Sequence, residues 1–271
     1  MIVDGKAITK EIKEELKKRI ARLPQPPTLD IFVMSDDFAT SKFVAIKKKT
    51  AAEVGVPMRE VILADETTTE ELIAHIRESR ADGMVVQLPL ASHIDLEAVL
   101  AAIPREKDPD VMSHESQKRF MEGDETVLPP VTGALVAVLE THRVDPRGKR
   151  IAIVGNGKLV GQPAAVWFRN HGAEVTIVNR KTPDIGAVTR ASDIIVLGTG
   201  KPGILTPDMI TDRSVVLDAG TSETAGKLAG DADPACAQKA ALFTPVPGGI
   251  GPITVAIIFR NLLALRAENK S

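Results

Sequence analysis

Ile151-Ala152-Ile153-Val154-Gly155-Asn156-Gly157-Lys158-Leu159-Val160-Gly161 sets the architecture: an apolar run leads straight into glycines spaced G-x-G-x-x-x-G, and residues 163–171 then read as a helix. The run has the length and branching of a buried strand. Gly155 permits a tight turn, Gly157 lets the backbone approach a phosphate group, and Gly161 lets the helix pack closely on the strand. The free N–H groups of that helix's N-terminus complete an anion-binding geometry. Glycine-rich strand-to-helix turns also occur with no ligand, so the flanking segments must decide.

Downstream, residues 174–178, 193–197 and 214–218 are further apolar segments bounded by turn residues. With 150–154 they predict the parallel strands of a doubly wound, Rossmann-like nucleotide-binding sheet. The second strand ends Val178-Asn179-Arg180-Lys181-Thr182, with two cations where an NAD enzyme usually carries an acid. A guanidinium pairs bidentately with phosphate, so NADP is favoured over NAD. The alternative reading of Arg180 and Lys181 is an ordinary solvated pair.

Upstream, residues 6–23, 40–54 and 69–79 have helical patterning, and 29–34, 61–63 and 83–88 read as short strands, again in β–α alternation. Gly55 is the expected C-cap of the second helix, and a threonine-rich stretch opens the third. Residues 112–130 are polar, end in Leu128-Pro129-Pro130 and read as a connection; a helix is predicted over 133–141. The fold class expected is two-domain α/β. Residues 1–132 and 247–271 form a substrate domain, residues 133–246 form the dinucleotide domain, and an apolar helix over 253–266 crosses back to pack on the first.

Composition narrows the function classes. The 271 residues are 44% hydrophobic and 26% charged with a net charge of −2, which suits a globular protein and argues against nucleic acid or an anionic membrane as main partner. Cys236 is the lone cysteine, so neither an internal disulfide nor a cysteine metal cluster is expected. Charges at Asp4, Lys6, Lys10 and Glu11 interrupt any leader-like run, and no window is read as reaching the roughly 20 apolar residues that span a bilayer. The expected location is the cytoplasm.

Four more segments, with the glycine turn, carry a resemblance: Phe43-Val44-Ala45-Ile46-Lys47, Val86-Gln87-Leu88-Pro89-Leu90, Lys107-Asp108-Pro109-Asp110, and Thr244-Pro245-Val246-Pro247-Gly248-Gly249-Ile250-Gly251-Pro252-Ile253-Thr254. In content and order they resemble the methylenetetrahydrofolate dehydrogenase/methenyltetrahydrofolate cyclohydrolase family, over nearly the whole chain. The proline-glycine segment is the most specific motif and the glycine turn the least. The resemblance implies a folate substrate, NADP as cofactor and a homodimer. It implies Lys47 as the catalytic lysine, Gln87 as its hydrogen-bond partner and Asp110 as the group that binds the pterin. It places Phe43, Val86 and Leu88 at the substrate, and lines the substrate site between the domains with Pro247, Gly248, Gly249, Gly251 and Pro252. The cofactor set is Gly155, Asn156, Gly157, Gly161, Arg180, Lys181 and Thr221.

The chemistry suits those residue types. Hydride loss from a methylene carbon leaves a cationic product, which repels a charged lysine, so Lys47 is expected to work with a lowered pKa. Taken singly, Lys47 is also consistent with a solvated helix face, Gln87 with a strand end and Asp110 with a helix cap. Departures from the family pattern are Phe43 for a tyrosine in a chain with no tyrosine at all, Val111-Met112 after Asp110 for a glycine and its apolar follower, and Asn156-Gly157 for the usual polar pair. Asn179-Arg180 stands for a histidine-serine, and Pro129-Pro130-Val131-Thr132-Gly133 is a shortened form of its segment. Two alternatives stay open: a shikimate-type NADP dehydrogenase, suggested by Asn179-Arg180, and a diverged folate- or nucleotide-binding protein without turnover.

Overall fold

Short apolar segments alternating with amphipathic helices build parallel sheets here, as β–α spacing requires. A computed structural model describes all residues except 35–37, 225–226 and 269–271. In chain order the elements are α1 Gly5–Ile20, β1 Leu29–Val33, α2 Phe38–Val54, β2 Met58–Ile62, α3 Thr69–Glu78, β3 Gly83–Val86, α4 Leu96–Ala102, α5 His114–Met121 and α6 Pro130–Thr141. They continue with β4 Arg150–Val154, α7 Gly161–Asn170, β5 Glu174–Val178, α8 Ile185–Arg190, β6 Ile194–Leu197, β7 Val215–Asp218, β8 Ser222–Thr224, β9 Lys227–Ala229, β10 Leu242–Phe243 and α9 Ile250–Glu268. Two compact units divide the chain: Met1–Thr9 with Val131–Thr254, and Lys10–Pro130 with Val255–Ser271.

In the second unit, the sheet runs β2-β1-β3, all parallel. Residues alternate faces along β1. Leu29, Ile31 and Val33 pack with Leu16 and Ile20 of α1, Val44, Ala51 and Val54 of α2, and Val255, Ile258, Phe259, Leu262 and Leu263 of α9. On the other face Phe32, with Met84 and Val86 of β3, meets Leu72 and Ile76 of α3 and Val99 and Leu100 of α4. The C-terminal helix therefore lies in the core of this unit, as expected. Its 19 residues are long and apolar enough to cross a bilayer, contrary to the reading of the sequence. Most of that apolar surface is buried within the fold.

The first unit holds the five-stranded parallel sheet β10-β7-β6-β4-β5. Chain order reverses at β4, whose neighbours are β5 on one side and β6 on the other. The carboxyl ends of β4 and β6 therefore flank a topological switch point, where ligands of such sheets sit. The N-terminal residues extend this unit, with Ile2 bridging Phe243 in parallel.

Several elements differ from the sequence reading. The second strand is Met58–Ile62 rather than 61–63; it is a half-exposed edge, so its polar Arg59 and Glu60 hide the pattern. The 112–130 connection contains α5, which buries Phe120 beneath an N-cap in which Ser113 accepts from the Ser116 N–H. α4 and α8 were also unforeseen, and each opens on an aspartate cap, Asp95 or Asp184.

Candidate active site

The substrate-side cluster is assembled from three elements of the second unit. Lys47 lies on α2, Gln87 directly follows β3, and Asp110 follows the turn at 105–107. Lys47 is only 8% exposed, and its Nζ donates to Gln87 Oε1 at 2.7 Å. Gln87 is itself oriented: its Nε2 donates to the Leu88 carbonyl at 2.7 Å and its backbone N–H to the Phe32 carbonyl at 2.9 Å. The amide thus turns its oxygen to the lysine. Burial lowers the Lys47 pKa, and the nearby Asp110 charge partly opposes that fall.

Asp108 and Asp110 divide their work. The Asp108 carboxylate, 1% exposed, accepts the N–H groups of Met112 at 3.2 Å and Ser113 at 2.7 Å and so shapes the loop. Among the described residues Asp110 makes no side-chain hydrogen bond. Burial pushes its pKa up to about 6; Lys47 pulls it down and Asp108 adds to the rise. Between them Pro109 presents its carbonyl to Asn261 Nδ2 at 2.8 Å, and the same amide donates to the Leu128 carbonyl at 2.7 Å. Asn261, a polar residue in the apolar run of α9, fixes the Asp110 loop and was missed from sequence. The Arg260-Asn261 pair interrupting that run was the available signal.

Val111 completes the loop at φ +55°, in the left-handed region, and is 2% exposed against Val127 and Leu265. Glycine, which the resemblance leads one to expect there, has no Cβ to oppose that conformation. Phe43 sits one turn before Lys47 on the same helix, half of its surface exposed. Val86 is buried and Leu88 partly so.

The cofactor-side residues lie together in the first unit. Gly155 has φ +106°, and a Cβ there would come within 2.6 Å of the Gly198 carbonyl oxygen. A Cβ on Gly161 would fall 2.1 Å from the Gly155 oxygen. The turn after β4 is thus pressed against the end of β6 with no room for side chains, while Gly157 faces open space. This fits a dinucleotide phosphate, which needs bare backbone N–H groups at a helix start. Asn156 and Gly157 are exposed. So are Arg180 and Lys181, in a turn where Asn179 Oδ1 accepts the Lys181 N–H at 2.8 Å. Thr221 follows β7, its carbonyl near Gly200. Pro247, Gly248, Gly249, Gly251 and Pro252 also belong to this unit, where the Gly248 carbonyl accepts the Gly5 N–H at 3.0 Å.

A desolvated amine held by an amide, and a glycine turn without room for side chains at the switch point of a parallel sheet, fit a nucleotide-dependent α/β enzyme. The chain belongs to the tetrahydrofolate dehydrogenase/cyclohydrolase family: its catalytic-domain model matches residues 3–110, and its NAD(P)-binding-domain model matches residues 129–270. A bifunctional protein FolD of Exiguobacterium sibiricum is 35% identical, covering 97% of this chain and 98% of its own. The bifunctional FolD dehydrogenase/cyclohydrolase structure from Campylobacter jejuni superposes with TM-score 0.95 at 31% identity, covering 99% of both chains. That of Trypanosoma brucei methylenetetrahydrofolate dehydrogenase-cyclohydrolase, complexed with NADP cofactor and inhibitor, gives 0.92 at 33%, covering 100% of this chain and 98% of its own. Neither the shikimate-type nor the binding-only alternative is favoured.

Proposed function

We propose that Lys47, Gln87 and Asp110 carry the substrate chemistry of this enzyme, which oxidises methylenetetrahydrofolate to methenyltetrahydrofolate with NADP and hydrolyses that product to formyltetrahydrofolate. The supporting observation is the buried 2.7 Å contact from Lys47 Nζ to Gln87 Oε1, with the Asp110 carboxylate close enough to raise the lysine's pKa against the effect of burial. NADP, when bound, takes up the hydride removed from the methylene carbon. The methenyl product is a cation, which a fully charged ammonium would repel. Burial lowers the Lys47 pKa and so favours the neutral amine, whose lone pair, with one N–H given to Gln87, can take a water proton. Asp110, once ionised, pairs with the exocyclic amine and ring N–H of a pterin. Phe43, one helical turn before Lys47 and half exposed, is assigned to the substrate.

Arg180 and Lys181 are assigned to the extra phosphate of NADP, and the 155–161 turn to the pyrophosphate, supported by their exposure and by the glycine geometry. Substrate chemistry is assigned to residues 1–132 and 247–271 and dinucleotide binding to 133–246. The 247–252 segment is tested by Gly251→Ala, whose Cβ meets nothing within 4 Å: the folate KM rises with the fold intact, or the segment has no substrate role. A cytoplasmic homodimer is the proposed working form; sedimentation of the purified chain as a monomer contradicts it. Mixing the protein with methylenetetrahydrofolate and NADP, with NAD in parallel, gives NADPH absorbance. No signal, together with binding of neither ligand, overturns the reading.

A further inference from the structure

Two buried acids outside the folate cluster hold together the loops around the switch point of the first unit. Asp218 ends β7, 1% exposed; its Oδ1 accepts the Gly220 N–H at 2.9 Å and its Oδ2 the Ala232 N–H at 2.8 Å. Asp231 follows β9 and is fully buried; its Oδ2 accepts both the backbone N–H of Thr199, at 2.5 Å, and the Thr199 hydroxyl, at 2.9 Å. Glycines make way for both. A Cβ on Gly220 would fall 2.1 Å from the Asp231 carboxyl carbon, and one on Gly230 would fall 2.3 Å from Asp218 Oδ2.

Thr199 is the first residue beyond Gly198, and Gly198 is the wall against which the cofactor turn rests. Its carbonyl lies 2.6 Å from where a Gly155 Cβ would be, and its own missing Cβ would meet Val160 at 2.5 Å. Asp231 thus acts on the 155–161 turn through Thr199 and Gly198 without touching it. Among the described residues Asp231 Oδ1, which is buried, has no hydrogen-bond partner. An unsatisfied buried polar atom costs about 1–3 kcal/mol, so stability alone does not account for an acid here. Desolvation of the neighbouring Asp218 raises its pKa to about 6, with Asp231 adding to the rise.

We propose that Asp231 is a positioning residue for the dinucleotide: by holding both donors of Thr199 it fixes the 198–200 turn that backs the glycine turn, and so sets NADP affinity. This rests on the assignment of the 155–161 turn and Arg180 to the cofactor. The test measures NADP affinity by calorimetry and both KM values for Asp231→Ala, Asp231→Asn, Thr199→Val and Arg180→Ala. Asp231→Ala is expected to weaken NADP binding at least tenfold while the methylenetetrahydrofolate KM stays within twofold. Asp231→Asn keeps an oxygen acceptor for Thr199 and restores affinity to within threefold of wild type. Thr199→Val, which loses only the hydroxyl, weakens NADP about threefold and serves if the alanine variant does not fold. Arg180→Ala weakening NADP while Asp231→Ala and Thr199→Val do not overturns the positioning role alone. If Arg180→Ala also leaves NADP unchanged, the cofactor assignment has failed, and the positioning role with it.

Discussion

Val111 gives the sharpest energetic test of the loop that presents Asp110. It holds φ +55° with 2% of its surface exposed. A left-handed backbone costs an L-residue about 1–2 kcal/mol. Val111→Ala removes two buried methyl groups, about 1.6 kcal/mol at roughly 0.8 each, and keeps the backbone cost. Going on to glycine removes one more carbon, about 0.8 kcal/mol, and adds about 0.5–1 of chain freedom, but recovers the 1–2 of left-handed strain. The step from alanine to glycine therefore lies between about −0.7 and +0.8 kcal/mol, whereas at negative φ it would cost about 1.5. Urea unfolding of both variants beside the wild type measures the difference. A glycine variant less stable than the alanine variant by about 1.5 kcal/mol or more refutes the left-handed assignment.

Asp110, raised to about 6 by burial, should make folate binding weaken as pH falls through that value, because the anion that pairs with the pterin is lost. Its folded pKa lies above the ordinary 3.8, so its stability contribution is full below 3.8 and disappears as pH rises through about 6. Asp110→Asn removes both dependences, and a methylenetetrahydrofolate KM that keeps its wild-type pH profile in that variant contradicts the assignment. Asn261→Ala strips the Pro109 and Leu128 carbonyls of their donor. At about 1–3 kcal/mol for each of the two buried orphans it lowers stability by roughly 2–6 kcal/mol. It also raises the folate KM with NADP affinity unchanged; unaltered urea midpoint and KM refute its role. Arg180→Ala weakens NADP about 10- to 100-fold, the equivalent of a charge-assisted hydrogen bond of about 1.5–3 kcal/mol, and leaves NAD within twofold. Parallel titrations showing equal effects on both exclude a role in selecting the phosphate.

β4 was legible because it is buried on both faces, and β5, although an edge strand, still carries Val175, Ile177 and Val178, so both were read from sequence with the bounds they adopt. β2 was misplaced because an edge strand with Arg59 and Glu60 carries no continuous apolar signal. The short helices α4, α5 and α8 were missed for a different reason. At 7, 8 and 6 residues they are too brief for a helical period to show, although Asp95, Ser113 and Asp184 marked their starts. In the candidate site, ordered motifs pointed to Lys47, Gln87 and Asp110, which the fold brings near one another. The support around them depends on long-range contacts: Asn261 lies 152 residues from the carbonyl it holds. Asp231 and Thr199, 32 apart, could not be paired from spacing.

The account's central claim is that the buried Lys47 amine, held by Gln87, performs the hydrolytic step. Hydrolysis of methenyltetrahydrofolate, followed by loss of its absorbance in wild type and Lys47→Met, tests it most directly. General acid–base catalysis is worth about 10²–10⁴-fold, so the variant should lose at least about 100-fold in rate. Its unfolding midpoint should fall only modestly, because the apolar chain leaves Gln87 Oε1 without its donor, at a cost of about 1–3 kcal/mol. A folded Lys47→Met protein that hydrolyses at the wild-type rate contradicts it.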